Sequence, residues 1–287
     1  MLVNYLGADR KVRCVGVNSL EVLKEAARVH KMSNEATAAL GRTLTGALIM
    51  TRHLKNEDDI LTIQIRGNGP LGGIVAVTTS DCKVRGYVNN PDVTLPLKDG
   101  KLDVGGAIGE GNLTVVKDLG LKEPYVGTVP LISGEIAEDL AYYLAVSEQI
   151  PSVISLGVLV KGDEVLASGG FMIQPLPNAD EECISELEKR AASFPPVSTL
   201  LSAGATIDDI LNDFMRGFTM ERLEEVETAF ECNCSRDRIS GVLATLSKVD
   251  LQEMIDDDEG AEVKCHFCNS DYQFSTKDLV DIRDKSK

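Results

Sequence analysis

The chain has 287 residues, room for one sizeable core and a smaller module, since domains commonly run to about 100–200 residues. Its 29 basic residues are outnumbered by 45 acidic ones, and the net charge of −16 repels phosphate backbones, so no nucleic-acid partner is expected. No apolar run approaches the roughly 18 residues of a membrane span, and seven cysteines, an odd count, are not a secreted disulfide framework; the expectation is a soluble protein of the reducing cytoplasm with no membrane partner.

In chain order, Lys11 to Val17 reads as a strand, and Ser19 can cap a helix that runs through Leu23 and Ala27. A second helix from Ser33 to His53 carries Ala36, Ala39, Gly41, Gly46 and Ala47, small residues that let other elements come close, so it is expected to be buried. Leu61, Ile63 and Ile65 alternate with Thr62, Gln64 and Arg66, the period of a half-buried strand, and Gly67-Asn68-Gly69-Pro70 turns the chain into the run Ile74 to Thr79. Val84 to Val88, Leu113 to Val116 and Tyr125 to Val129 read as further strands. Ser133 opens a helix with Ile136, Leu140, Tyr143 and Leu144 on one face, and Val153 to Val160 with Val165 to Ile173 form a hairpin around Lys161-Gly162-Asp163-Glu164. The expected class is α+β: a domain over residues 1–178 with a largely antiparallel sheet packed by helices.

Composition shifts after Pro175-Leu176-Pro177. Residues 179–231 are expected to form a helical, charged linker, in which Thr206 and Asp209 make a capping box and Ile207, Ile210, Leu211 and Phe214 share a stripe. Leu223 and Val226 are assigned to the same linker. With apolar faces but no core of its own, this metastable segment must dock on the first domain, and undocking would expose its stripe to another protein.

Residues 232–287 form the third part, a small C-terminal domain. Ile239, Val242, Leu243 and Leu246 make an apolar stripe, and Asp250 with Glu253 can box a turn bearing Leu251, Met254 and Ile255. The run Asp256-Asp257-Asp258-Glu259 then falls at a helix C-terminus, the wrong end of the macrodipole for negative charge, so that helix should fray. A tail this small has a marginal core and needs a metal or cross-links to stay folded.

Its cysteines supply one. Cys232, Cys234, Cys265 and Cys268 are four soft thiolate ligands, which suit zinc and fill a tetrahedral shell with no open position, so one structural or regulatory zinc per chain is expected. On an extended strand Cys232 and Cys234 would lie about 6.6 Å apart at Cα, two strand rises, close enough to share a metal but needing a tighter backbone to bond covalently. Cys265 and Cys268 flank a short turn that suits zinc or a disulfide equally. Oxidation within each pair would consume every ligand, making metal loss and unfolding one event. His266 is a neighbour that tunes the thiolates, while Cys14, Cys82 and Cys183 sit in apolar or helical patterns and are read as packing residues.

Elsewhere the chain offers little to an enzyme. Gly106, Gly109 and Gly111 do not match the dinucleotide fingerprint, and there is no phosphate-loop lysine motif and no nucleophile elbow. A zinc-ribbon regulator of nucleic acid is disfavoured because residues 232–287 hold 8 Lys/Arg against 12 Asp/Glu, a net −4. A thiol oxidoreductase built on Cys265-His266-Phe267-Cys268 is disfavoured because the second cysteine pair competes for the metal.

Several motifs together resemble the heat shock protein 33 family of redox-regulated bacterial holdase chaperones, over essentially the whole chain. They are Gly41-Arg42-Thr43-Leu44-Thr45-Gly46, Gly67-Asn68-Gly69-Pro70, Val84-Arg85-Gly86-Tyr87-Val88 with Asn90-Pro91, the stretch Ser133 to Pro151, Gly169-Gly170-Phe171, and Cys232-x-Cys234-Ser235-Arg236 with Cys265-x-x-Cys268. The resemblance implies a non-enzymatic protein whose reduced, zinc-bound form is inactive. It implies an oxidised form with Cys232 joined to Cys234 and Cys265 joined to Cys268, which loses zinc, unfolds its linker, binds unfolding client proteins without ATP and tends to form a homodimer. Ile207, Ile210, Leu211, Phe214, Leu223 and Val226 are the client-binding candidates on the linker; no short motif carries that role over.

Overall fold

Alternating apolar and polar residues build two sheets in the computed structural model, which describes residues 1–257 and 259–285. The chain divides into two units, Met1–Glu231 and Cys232–Lys287. In the first unit the elements run β1 (Leu2–Gly7), β2 (Val12–Asn18), α1 (Leu20–His30), α2 (Asn34–Met50), β3 (Ile60–Gly67), β4 (Ile74–Thr79), β5 (Lys83–Val88), α3 (Val104–Ile108), β6 (Gly111–Asp118), β7 (Tyr125–Pro130), α4 (Ala137–Val146), β8 (Val153–Lys161) and β9 (Glu164–Pro175). Then come α5 (Glu181–Ser193), α6 (Val197–Ser202), α7 (Ile207–Phe214), β10 (Met220–Val226) and β11 (Ala229–Phe230). One sheet has the order β10-β1-β2-β9-β8 and the other β11-β5-β4-β3-β6-β7; every pairing is antiparallel except the short parallel contact of β11 with β5.

Helix α2 lies between the two sheets and is buried along nearly its whole length, as its small residues require. A Cβ on Gly41 would come within 2.5 Å of Leu23 and 2.8 Å of Val158, and one on Gly46 within 2.5 Å of Leu140. The far face of the β1-containing sheet is covered by α5, α6 and α7. Alternate residues Val3, Tyr5, Val12, Cys14, Phe171 and Ile173 meet Leu187, Val197, Ile207, Ile210, Leu211 and Phe214 in a second apolar cluster. Glycines flatten this face so that helices can sit directly on it: a Cβ on Gly16 would lie 2.6 Å from Ile207, and one on Gly157 2.6 Å from the Ser198 nitrogen. Phe171, Phe194 and Phe214 meet in edge-to-face and tilted contacts with centroids 5.1–5.7 Å apart, and Arg190 of α5 donates to the Phe214 carbonyl at 2.8 Å, capping α7.

The linker is helical as far as Phe214 and not beyond. From Met220 it becomes β10, whose residues pair with β1 from Leu2↔Val226 to Gly7↔Met220. Glu and Arg are good helix formers, which is why this charged stretch reads as helix, but hydrogen bonding along the open edge of β1 overrides that weak preference. β1 escapes sequence reading for a related reason: with Leu2 in one core and Val3 and Tyr5 in the other, both of its faces are buried and no clean alternation appears.

Inside the first unit, Lys117 of β6 pairs with Glu148 just after α4, and Tyr143 also donates to Glu148 at 2.7 Å. Burial raises the Glu148 carboxyl, but these donors outweigh it and hold it below the ordinary carboxyl range. A depressed carboxyl stabilises the fold above its unfolded value, about 4.3, and that contribution disappears as pH falls through the lower folded value. Glu148→Gln, which strands a buried lysine charge, is therefore expected to cost about 3–5 kcal/mol at neutral pH. Thermal melts across pH check this: the gap between wild type and variant should be wide at neutral pH and close under acid, and a gap independent of pH would assign the loss to packing.

The second unit holds α8 (Arg236–Leu243), α9 (Lys248–Asp256), a hairpin of β12 (Ala261–Lys264) and β13 (Asp271–Phe274), and α10 (Thr276–Lys285). Among the described residues its core is small, with Leu243, Leu251, Phe274, Leu279 and Ile282 buried. The stripe expected over Ile239 to Leu246 is only half realised. Ile239 and Leu243 face that core, whereas α8 ends at Leu243 and leaves Val242 and Leu246 exposed. Ser247, not Asp250, caps α9, accepting from the Asp250 nitrogen at 3.1 Å. In the acidic run, Asp257 is the C-cap of α9, and Asp258 lies outside the described residues.

Candidate metal centre

Two irregular segments bring the four cysteines of the second unit together. Cys232 and Cys234 lie just before α8, whose N-cap Ser235 accepts from the Arg238 nitrogen at 3.2 Å. They are not on a strand, so the same-face argument for an extended pair does not apply. Cys265 and Cys268 occupy the turn between β12 and β13. That turn is closed by the Asn269 nitrogen donating to the Cys265 carbonyl at 2.8 Å and the Cys265 nitrogen donating to the Ser270 carbonyl at 2.9 Å, with Asn269 at φ 57°. Asparagine tolerates this left-handed conformation better than most side chains.

All four Sγ atoms lie within 4.8 Å of one another; Cys232 and Cys265 approach to 3.7 Å and Cys234 and Cys268 to 3.2 Å. Four sulfurs at about 2.3 Å from a common zinc stand about 3.8 Å apart on tetrahedral geometry, so the cluster fits that ion. No other such group of metal-ligating side chains occurs among the described residues. Cys265 is buried and the other three are half-buried. Burial pushes the Cys232 and Cys265 thiols up, whereas at Cys268 hydrogen bonds from Ser270 and the neighbouring thiols overcome burial and bring the thiol down to about 7. A bound dication would favour the thiolate form at all four.

Two contacts escaped the sequence reading. The Tyr272 hydroxyl donates to Cys234 Sγ at 3.0 Å, and Ser270 Oγ lies 3.3 Å from Cys268 Sγ. Below the cluster, Arg236 lies over the Phe274 ring, 4.4 Å from its centroid, and pairs with Asp278 at 3.0 Å, tying the segment after Cys234 to β13 and α10.

Of the linker candidates, Ile207, Ile210, Leu211 and Phe214 are brought together on α7 and fully buried against β2 and β9. Leu223 and Val226 are separated from them, on strand β10, with Leu223 exposed and Val226 packed toward the core between the sheets. Cys14 and Cys183 are buried in the cluster beneath the linker helices, and Cys82 in the core between the sheets, as packing residues would be.

A family model described as Hsp33 protein matches residues 1–275. The chain belongs to the Hsp33 family. It is 49% identical to the 33 kDa chaperonin of Ruminiclostridium cellulolyticum over 98% of this chain and 97% of that one, and 47% identical to the 33 kDa chaperonin of Acetivibrio thermocellus over 97% and 95%. The crystal structure of the 33 kDa chaperonin, heat shock protein 33 homolog, from Thermotoga maritima superposes with a TM-score of 0.88 at 42% identity, covering 99% of this chain and 97% of that one. Hsp33 members are named as chaperonins, not as enzymes, and the mixed α/β fold is shared over nearly the full length of the Thermotoga maritima chain. Among the described residues of this Hsp33 chain no helix is long and apolar enough to cross a membrane.

Proposed function

We propose that this Hsp33 family chaperone is a redox-regulated, ATP-independent holdase of the cytoplasm. The observation that carries the reading is the convergence of four thiols, all within 4.8 Å, in a unit with a very small apolar core. Cys232, Cys234, Cys265 and Cys268 hold one zinc per chain in the reduced state, and the ion supplies the cross-link that so small a core needs. A peroxide or hypochlorite takes two electrons from each pair of zinc-bound thiolates, joining Cys232 to Cys234 and Cys265 to Cys268, while the oxidant is reduced to hydroxide (with chloride from hypochlorite) and the zinc ion leaves. The four ligands are then spent, and the second unit unfolds.

Chain connectivity passes the change on. Cys232 directly follows Glu231, whose nitrogen donates to the Val84 carbonyl at 2.9 Å and whose carboxylate pairs with Lys83 at 3.2 Å. An unfolded tail at this point pulls on the two-residue pairing of β11 and favours release of the linker. Release uncovers Ile207, Ile210, Leu211 and Phe214 together with the glycine-paved sheet beneath them. Each such side chain contributes roughly 1.5–3 kcal/mol when buried on an unfolding client, before ordering costs. Two released linkers also give oxidised chains a route to a homodimer.

Zinc release measured with a chromogenic chelator, alongside light scattering of a heat-denaturing client, tests the proposal. Peroxide with mild heat should release about one zinc per chain and start aggregation suppression in step with it. Equally strong suppression by the reduced, zinc-loaded protein would overturn it.

A further inference from the structure

Strand β10 lies between Cys232 and α7 along the chain, and its ladder with β1 is broken near the middle. Asn4 pairs with Glu224 but Tyr5 pairs with Arg222, so Leu223 is an extra residue with no partner across the ladder, a bulge. Beside the bulge, one contact ties β10 to the body of the first domain: Arg52, in the turn that ends α2, pairs with Glu224. The guanidinium is held from other directions as well. Its Nε donates to the Thr51 hydroxyl at 3.3 Å, and its Nη2 donates to the Ser80 carbonyl at 3.4 Å and to Cys82 Sγ at 3.2 Å, both in the turn between β4 and β5. The Arg52 side chain is 12% exposed, and Glu224 is the one carboxylate it meets among the described residues. The other ion pairs of β10 differ. Arg10 and Glu221 are both more than half exposed, and Arg222 pairs with Glu225 and Asp208, which belong to the linker itself. Solvated pairs hold little, whereas separating Glu224 from Arg52 strands a largely buried cation.

From this we infer that the Arg52–Glu224 pair is a latch on the linker, which arrests its release at the bulge until the pair is broken. The inference rests on the holdase reading and adds the contact that decides how far unfolding of the tail propagates. Peeling from the Cys232 end first frees the two-residue pairing of β11, and then Val226 and Glu225 leave the edge of β1. At Glu224 it meets a cation fixed by the end of α2 and by the β4–β5 turn, which belong to the first domain and not to the linker. Past that point the ladder has its broken register, and just Met220 to Arg222 remain paired before the chain reaches α7. Loss of the metal and exposure of the α7 stripe are therefore two steps, and the latch stands between them.

Hydrogen exchange of the reduced, zinc-loaded full chain reads the latch without oxidant or client. Glu224→Gln keeps the shape of the side chain and removes its charge, and Glu221→Gln makes the same change at the solvated pair on the same strand. In Glu224→Gln, and in Arg52→Met, the hydrogen-bonded amides of β10 should exchange roughly tenfold faster or more, while those of α2, β12 and β13 and the bound zinc stay as in wild type. Glu221→Gln should change none of them. Under peroxide with mild heat, the interval between zinc release and the onset of aggregation suppression should shorten severalfold in both latch variants. Unchanged β10 exchange in Glu224→Gln, or equal acceleration in Glu221→Gln, would overturn the inference. So would acceleration that spreads equally to α2, which would make the pair a general support of the fold, and so would zinc loss from the reduced variants, which would tie the pair to the metal centre. Faster β10 exchange with an unshortened interval would overturn it as well, since release would then be limited elsewhere. Failure of oxidised wild type to suppress client aggregation would count against the holdase reading alone, because the exchange measurement involves neither oxidation nor client.

Discussion

Replacing Cys265 and Cys268 together by serine is expected to unfold residues 232–287 while residues 1–231 keep their sheets. Structural zinc sites in small modules supply about 10–16 kcal/mol of apparent binding free energy near neutral pH, and much of that is folding free energy. Against it, among the described residues the second unit buries only Leu243, Leu251, Phe274, Leu279 and Ile282 as its apolar core. With two thiolates gone, the remaining pair cannot close a tetrahedral shell. Native mass spectrometry should find the variant free of zinc, and hydrogen exchange should show the amides of α9, β12 and β13 unprotected while those of α2 exchange as in wild type. Added zinc should restore wild-type protein stripped by a chelator but not the variant. Protected β12 and β13 amides in a zinc-free variant would show that apolar packing alone holds the unit, and the proposed switch would have no basis.

Leu211→Asp is expected to do the opposite, freeing the linker with the zinc still bound. Leu211 is fully buried, and its side chain presses on Gly16, where an added Cβ would lie 2.9 Å from it. Removing the leucine costs about 2–5 kcal/mol through lost burial and cavity formation. A carboxylate in its place adds a desolvation penalty that no partner offsets. The core between the two sheets does not depend on this helix, so the loss falls on docking of α7 rather than on the whole first unit. The reduced variant should suppress client aggregation about as well as oxidised wild type, and limited proteolysis should cut near Gly204 and Gly217, which flank α7. A variant that is cut there yet inactive would show that the covered face is not the client surface.

How far the site was legible depended on how local its determinants are. Cys232, Cys234, Cys265 and Cys268 mark a candidate metal site by type and spacing within one short stretch, and the buried character of α2 follows from its run of alanines and glycines. The stripe of Ile207, Ile210, Leu211 and Phe214 was equally readable, because a helix sets its own faces every 3.6 residues. Ser270 and Tyr272 were missed because second contacts to sulfur leave no motif. Leu223 and Val226 were placed on a helix because Glu and Arg dominate their neighbourhood.

By itself, then, the amino-acid order determined the four candidate thiol ligands, the class of fold, the Thr206–Asp209 capping box and the apolar stripe of α7, all of them properties of neighbours along the chain. Tertiary structure alone decided that Met220–Val226 is a strand and that the linker helices cover the glycine-paved face of one sheet. The physical reason is distance along the chain. β10 pairs with β1, Leu2 opposite Val226, and the free energy of such a pairing lies in backbone hydrogen bonds and packing between segments at opposite ends of the first unit, which no local pattern encodes.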